Sequence, residues 1–181
     1  MSGISAAVAA ARQGADVVLI NDRPVLGGNA SSEIRVTVNG VQTLKAKNPV
    51  ERETGIIEEI LLENKKYNPQ ESYPIWDHVL YDYVVRQPNL RLMLNTQAIK
   101  AIMDGERIKS AFCWQSTTET EVVINAKIFV DCSGDGLFAA TSGAEYRTGR
   151  EGKAEFGEKY APDEPDGWMM GESIMMITKD M

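Results

Sequence analysis

A glycine doublet with nearby hydroxyl side chains is the segment of this sequence best suited to binding a diphosphate. Gly27 and Gly28 lie in a polar stretch, and Ser31 follows three residues after the doublet. Because glycine has no Cβ, backbone N–H groups at such a turn can approach phosphate oxygens closely, and Ser31 offers its hydroxyl as well. The alternative interpretation is an ordinary Gly-Gly turn without a ligand.

The first residues of the chain could form a helix start that faces the same diphosphate. Ser2 and Gly3 precede an alanine-rich stretch. In dinucleotide-binding folds a strand is followed by a G-x-G-x-x-G turn and a helix whose N-terminal N–H groups face the pyrophosphate. Gly3 would be the third glycine of that turn, which allows helix and strand to approach closely. A packing or capping role for Ser2 and Gly3 is the alternative.

About 20 residues further on, such folds usually place an acidic side chain that accepts hydrogen bonds from ribose hydroxyls. Asn21 occupies that position here, and Asp22 and Arg23 follow it. Asparagine can bond a hydroxyl but has no charge to repel a 2′-phosphate, so Asp22 is an alternative acceptor. We therefore predict that Asn21, Asp22 and Arg23 belong to the nucleotide-binding segment.

The hydrophobic pattern predicts alternating helices and strands around these segments. Helical spacing of apolar residues predicts helices at Ile4–Ala11, Ile56–Leu61, Pro74–Tyr83 and Leu137–Ser142. Strands are predicted at Val17–Ile20, Leu90–Leu94, Ala98–Met103, Arg107–Trp114, Glu119–Ile124 and Lys127–Asp131. The first and last of these strands are continuous apolar runs, typical of strands buried on both faces of a parallel sheet. The three strands before the last predict an antiparallel meander.

In their order and separation, these segments resemble the FAD-binding domain of glycine-doublet FAD-dependent oxidoreductases, over residues 1–146. Two further segments carry the resemblance. Leu94–Ala98 resembles the junction between a strand and the meander in that family, and Phe129–Gly136 resembles the segment that closes over the cofactor. Taken alone, the second of these could be a tight strand-to-helix turn without a ligand.

The resemblance implies FAD as the cofactor and assigns roles to particular residues. It implies that the backbone near Ala98 contacts the adenine, that Gly134 permits close approach, and that Asp135 bonds the ribityl chain or lies beside the phosphates. Some relatives attach their flavin through a histidine near the doublet, and Gly27–Arg35 contains none. We therefore expect FAD to be bound non-covalently.

The expected fold class is α/β, with a Rossmann-like parallel sheet and a β-meander on the crossover. The resemblance implies that the first strand of the sheet is missing and that the chain is truncated at both ends. After Tyr146 the composition becomes rich in acidic residues and proline. We therefore expect residues 1–146 to be a partial FAD-binding domain and 147–181 the beginning of a substrate domain, with a strand at Glu172–Thr178.

The resemblance implies an FAD-dependent oxidoreductase that takes hydride or electrons from a small organic substrate. A piece of this length is expected to be inactive alone, and no catalytic residue can be assigned from the sequence. One alternative is an NAD(P)-binding dehydrogenase domain, but the doublet at Gly27 and the meander both argue against it. The other is a non-catalytic truncated fragment, because loss of a central strand would leave unpaired backbone in a buried place.

Composition excludes several other classes of partner. The formal net charge is -7 and the sequence pI about 4.8, which argues against nucleic acid and anionic membranes as ligands. No apolar run approaches the roughly 18 residues needed to cross a bilayer, and no cationic signal-peptide start is present, so we expect a cytoplasmic protein. Cys113 and Cys132 lack metal-ligand spacing, which predicts two buried, reduced thiols and no metal.

Three other side chains invite a catalytic interpretation. His78 is the single histidine, on a predicted amphipathic helix, and we expect it to be solvated. Arg35, on a short strand predicted after the doublet by the alternating stretch Ile34–Val38, could face the flavin, but a structural salt bridge is the preferred interpretation. Cys132 could be redox-active, although a small buried thiol is the simpler expectation.

Overall fold

The computed structural model describes residues 1–39 and 53–171. Within them it is a mixed α/β protein with a small parallel sheet and a separate antiparallel sheet. The helices are α1 (Ser2–Arg12), a short 3-10 helix (Gly28–Ala30), α2 (Ile56–Tyr67), α3 (Tyr73–Val85), α4 (Leu137–Thr141) and α5 (Lys153–Phe156). The strands are β1 (Val17–Ile20), β2 (Leu90–Met93), β3 (Thr96–Asp104), β4 (Arg107–Gln115) and β5 (Thr120–Asn125).

The parallel sheet consists of β1 and β2, in register from Val17 opposite Leu90 to Ile20 opposite Met93. Its strands coincide closely with the predicted ones. The residues of β1 are only partly buried, however, rather than buried on both faces as predicted. Among the described residues β1 pairs with β2 alone, which leaves the other edge of β1 without a neighbouring strand.

The antiparallel meander of β3, β4 and β5 is confirmed. A tight turn at Gly105 joins β3 to β4, as the Asp-Gly pair predicted. The pairing of β3 with β4 shifts register between Ala98 and Lys100, where β3 contains a bulge. Cys113 lies in the small core beneath this sheet, and burial raises the pKa of its thiol. It is therefore the buried thiol that the sequence predicted.

The main hydrophobic core lies where α1, α2 and α3 pack with the parallel sheet. The small residues of α1 allow close packing, and Val8 is completely buried among them. Leu80 and Val84 of α3 are also completely buried. Since Leu26 belongs to the same cluster, the segment that carries the glycine doublet is attached directly to this core.

The prediction of a strand at Lys127–Asp131 is wrong. These residues form no regular strand, and Ile128 and Val130 are 81% and 68% exposed. Phe129 alone turns inward, to pack against Phe138 with ring centroids 5.6 Å apart. An apolar β-branched run becomes a strand only when another strand supplies backbone partners, and the described part of the chain supplies none here.

The segment after the predicted boundary at Tyr146 is held together by local ion pairs. Arg150 and Asp166 form an isolated antiparallel bridge and an ion pair, and Arg147 pairs with Glu155. The strand predicted at Glu172–Thr178 lies outside the described residues. No helix in the described ranges is both long and apolar enough to span a bilayer.

An ion-pair network ties α1 to α2 and α3 and makes the stability of the fold dependent on pH. Arg12 donates to both carboxylate oxygens of Glu59, and the Tyr83 hydroxyl donates to the same carboxylate at 2.6 Å. Bonding from Arg12 and Tyr83 lowers the pKa of Glu59 to about 2. A depressed carboxyl pKa stabilises the fold above the unfolded-state value of about 4.3, and this stabilisation is lost as the pH falls toward 2.

We therefore predict that Glu59→Gln removes part of the acid sensitivity of the fold. At pH 7 the loss should be at most about 1 kcal/mol, because the Glu59 side chain is 47% exposed and its ion pair is screened by solvent. Urea unfolding of wild type and variant at pH 7 and pH 3 measures this effect. The difference in the free energy of unfolding between the two proteins should be smaller at pH 3 than at pH 7. Glu121→Gln, on an exposed position of β5, is the control. An unchanged difference would contradict the assignment.

Candidate functional site

The N-terminus of α1 lies beside the turn that follows residue 131. A Cβ added to Gly3 would lie 3.2 Å from the Cβ of Cys132 and 3.9 Å from Leu19 of β1. Burial lowers the pKa of the Met1 amino group, and nearby Cys132 partly offsets this effect. The start of α1, the end of β1 and the turn at Cys132 are therefore neighbours in space, and a side chain at position 3 would be crowded.

The first turn of α1 offers free hydrogen-bond donors. The first N–H groups of any helix have no acceptor within that helix. Met1 precedes α1, no side chain in the described ranges caps its N–H groups, and no acidic residue lies in its first turn. Ser2 itself is exposed. An anion could accept these hydrogen bonds and would also be stabilised by the dipole of this eleven-residue helix.

The glycine doublet forms a turn that only glycine can adopt without strain. Gly27 and Gly28 have φ angles of 111° and 59°. A Cβ on Gly27 would lie 2.9 Å from Leu80 Cδ1, so this glycine packs against the core, whereas a Cβ on Gly28 would meet no atom within 4 Å. Among the described residues, the N–H groups of Gly28 and Asn29 donate to no acceptor. Gly28 therefore has an open backbone, whereas Gly27 packs against the core.

Ser31 does not present its hydroxyl to the outside. The residue is completely buried, and its Oγ accepts a hydrogen bond from the Glu33 N–H at 3.3 Å. Its own N–H donates to the Gly28 carbonyl at 3.0 Å. In this arrangement Ser31 shapes the loop and does not offer the donor to a diphosphate that the sequence predicted.

Helix α3 holds the doublet loop in place through three side chains. Trp76 Nε1 donates to the Ala30 carbonyl at 2.8 Å, and Asp77 Oδ1 accepts from the Ser32 N–H at 2.9 Å. The Tyr73 hydroxyl donates to the carbonyl of Arg35 at 2.9 Å. These anchors were not predicted from the sequence, although an aspartate on the apolar face of a predicted helix is a signal for one of them.

Arg35 differs from its prediction in two respects. It follows a turn, with φ of 65°, and does not lie on a strand. Its guanidinium stacks over the Tyr73 ring at 5.6 Å, and its Nε donates to the Ser32 carbonyl at 3.0 Å. No salt bridge of Arg35 is found among residues 1–39 and 53–171, so its observed role is to stabilise the loop by stacking.

Asp131, to which the sequence assigned no role of its own, shapes the turn at Gly134. Its carboxylate accepts from the N–H groups of Ser133 and Ala139, both at 2.9 Å. Partial burial raises the pKa of Asp131, but the N–H donors outweigh it and hold the pKa below its usual value. Gly134 and Asp135 lie exposed on the turn that results. The acid that contacts the N-terminal turn of α4 is therefore Asp131.

The predicted ribose and adenine segments meet at the end of the parallel sheet. The Asn21 N–H donates to the Met93 carbonyl at 2.9 Å, and its carbonyl accepts from the Thr96 N–H at 2.8 Å. Asp22 is exposed, while Arg23 pairs with Glu33 at 3.3 Å. Ala98 is the residue of β3 at which the bulge begins. Bulges interrupt strand pairing and often lie next to binding sites.

The sequence expectations for His78 and Cys132 have different outcomes. His78 is exposed on α3, as predicted, at the edge of a cavity of about 280 Å³ whose walls include Leu26 and Tyr81. Cys132 is exposed, so the prediction of two buried thiols is wrong for this residue. It lies in an irregular turn rather than at the end of a buried strand, which explains its exposure.

The predicted segments thus collect at one edge of the parallel sheet. Gly3 lies beside Leu19, and Asn21 lies between the end of β2 and the start of β3. The turn at Gly134 is next to Gly3 through Cys132. The loop that leads to the doublet is joined to Asn21 by the hydrogen bond from its Nδ2 to the Val25 carbonyl. Open α/β sheets bind ligands outside the carboxyl ends of their strands, which is where these residues are found.

A comparison with known proteins identifies the family of this chain. The family model described as FAD dependent oxidoreductase matches residues 1–179. No curated protein and no solved structure matches the chain. Because the family match spans nearly the whole sequence, the chain belongs to the FAD-dependent oxidoreductases, a family of flavoproteins whose cofactor is FAD.

Proposed function

We propose that the chain binds FAD non-covalently at the carboxyl edge of its parallel sheet. The observation that carries this proposal is a set of N–H groups, at the start of α1 and at Gly28, that have no acceptor among the described residues, with open space around Gly28. These donors would hold the diphosphate, which agrees with the roles expected for Ser2 and Gly3. The N–H groups of a helix start and a glycine turn are suited to this charge.

The remaining predicted residues surround the same position in this proposal. Asn21, with Asp22 and Arg23 beside it, would face the ribose, and the backbone near Ala98 would contact the adenine. Gly134 would allow the turn after Asp131 to approach the cofactor, with Asp135 beside the phosphates or the ribityl chain. The domain is then Rossmann-like over residues 1–146, with 147–181 opening a substrate domain.

The proposed reaction is oxidation of a small organic molecule. When bound, FAD supplies the acceptor for a hydride or for electrons, while the protein orients cofactor and substrate. The described residues contribute backbone donors at the diphosphate and rigid anchors, through Trp76 and Asp77, for the loop that carries Gly28. With a net charge of -7 the chain is poorly suited to nucleic acid, and a small molecule remains the proposed partner.

Titration of the protein with FAD, followed by flavin fluorescence and by gel filtration, tests the proposal. We expect one equivalent of FAD to co-elute with the protein and to be released on denaturation, as a non-covalent cofactor would be. NAD and NADP are the matched competitors, since they share the ADP half. Retention of a nicotinamide nucleotide in preference to FAD would favour a dehydrogenase domain and overturn the proposal.

A second candidate function is non-catalytic association through exposed apolar side chains. It is favoured by Ile128 and Val130, which are largely exposed on a segment that pairs with no strand in the described part of the chain. Analytical ultracentrifugation separates the two candidates. Concentration-dependent self-association that Val130→Lys abolishes, in a protein that retains no FAD, would support the second candidate. A monomer that retains FAD would exclude it.

A further inference from the structure

The backbone of Asn21 is held in place by hydrogen bonds to two other segments. Its N–H and carbonyl bond to Met93 and Thr96, so its backbone bridges the end of β2 and the start of β3. The position of its side chain is therefore fixed by two strands before any ligand arrives. Substitutions at this position report on the side chain alone, because the backbone bonds do not depend on it.

The Asn21 side chain closes the loop that leads to the glycine doublet. Its Nδ2 donates to the carbonyls of Arg23 and Val25, each at 2.9 Å. Carbonyl oxygens can only accept, so the amide nitrogen must face them and the orientation of the amide is determined. The Oδ1 atom faces away and accepts from no donor in the described part of the chain. One neutral acceptor is thus left open.

A carboxylate cannot replace this amide. Aspartate has no N–H group, so both loop bonds would be lost, and its oxygens would face the carbonyls of Arg23 and Val25. The Arg23 carbonyl keeps a second donor, the N–H of Asn95 at 3.2 Å. The Val25 carbonyl has no other donor among the described residues, so the loop would open at that point.

We propose that Asn21 is a positioning and specificity-determining residue, whose amide closes the loop 21–25 and offers a ribose hydroxyl a single uncharged acceptor. This inference rests on the proposed FAD site. It reverses the usual expectation for the end of this strand, where an acid is the favoured partner of the ribose. In this chain, Asn21→Asp weakens nucleotide binding because the loop no longer holds its shape.

The test compares Asn21→Asp with wild type in two measurements. We expect FAD affinity to fall about tenfold, because two hydrogen bonds that hold the loop are lost. In the protein without FAD, amide hydrogen exchange over residues 22–28 should become faster. Asn125→Asp, at the exposed end of β5, makes the same change of charge and should alter neither measurement.

The two measurements separate this inference from the proposed function. If wild type binds no FAD, the proposed function fails, while exchange in the FAD-free protein still decides whether Asn21 closes the loop. If wild type binds FAD and Asn21→Asp binds it equally well or more tightly, the specificity role is overturned. Unchanged exchange over residues 22–28 in Asn21→Asp would overturn the closing role.

Discussion

Gly28→Ala is expected to weaken FAD binding by at least about tenfold, equivalent to about 1.4 kcal/mol. A Cβ on Gly28 meets no atom of the described residues within 4 Å, so this part of the fold has room for the methyl group. That methyl group would be attached next to the N–H groups of Gly28 and Asn29, which have no acceptor among the described residues. It would therefore exclude the diphosphate from the donors proposed to bind it. Isothermal titration with FAD measures the effect.

Gly105→Ala is a closely matched control for this experiment. Gly105 has a φ of 60°, against 59° for Gly28, and also has open space where a Cβ would be. Both variants should lose about 1–2 kcal/mol of stability from a left-handed alanine, measured by urea unfolding. Only Gly28→Ala should lose FAD affinity. Equal affinity losses in the two variants would mean that backbone strain, and not contact with the ligand, explains the result.

The elements that depend on local patterns were predicted accurately from the sequence. The strand Val17–Ile20 has the predicted bounds, and the meander with its turn at Gly105 is present. Each of these is encoded over a few neighbouring residues, by a β-branched run or by an Asp-Gly turn. Local propensity and final structure agree there because a partner strand is available in every case.

The failures concern features that depend on distant partners. Lys127–Asp131 has the composition of a buried strand, yet no described strand pairs with it, and Cys132 is consequently exposed. The glycines of the candidate site were recognisable because their conformations need glycine. The anchors at Trp76 and Asp77 were not, since they join residues about 45 positions apart, a relation that helical spacing does not reveal.

Leu80→Ala is expected to lower the free energy of unfolding by about 2–5 kcal/mol. Leu80 is completely buried in the core shared by α1, α2 and α3, and its Cδ1 lies where a Cβ on Gly27 would collide with it. Truncation would leave a cavity directly beneath the doublet. The loss should therefore be accompanied by faster amide exchange at Gly27 and Gly28. Urea unfolding and exchange of the FAD-free protein measure both effects.

Leu62→Ala is the control, because it makes the same substitution at an exposed position and so shows how much of the loss depends on burial. Leu62 lies on α2 and is 60% exposed, so the same change there should alter stability by no more than about 0.5 kcal/mol. Leu80→Met, which conserves side-chain volume, should cost less than about 1.5 kcal/mol and provides a folded variant if Leu80→Ala does not fold. Equal losses at positions 80 and 62 would contradict the placement of Leu80 in the core. Normal exchange at the doublet in Leu80→Ala would show that the loop keeps its shape without this support, with its hydrogen bonds to α3 sufficient to hold it.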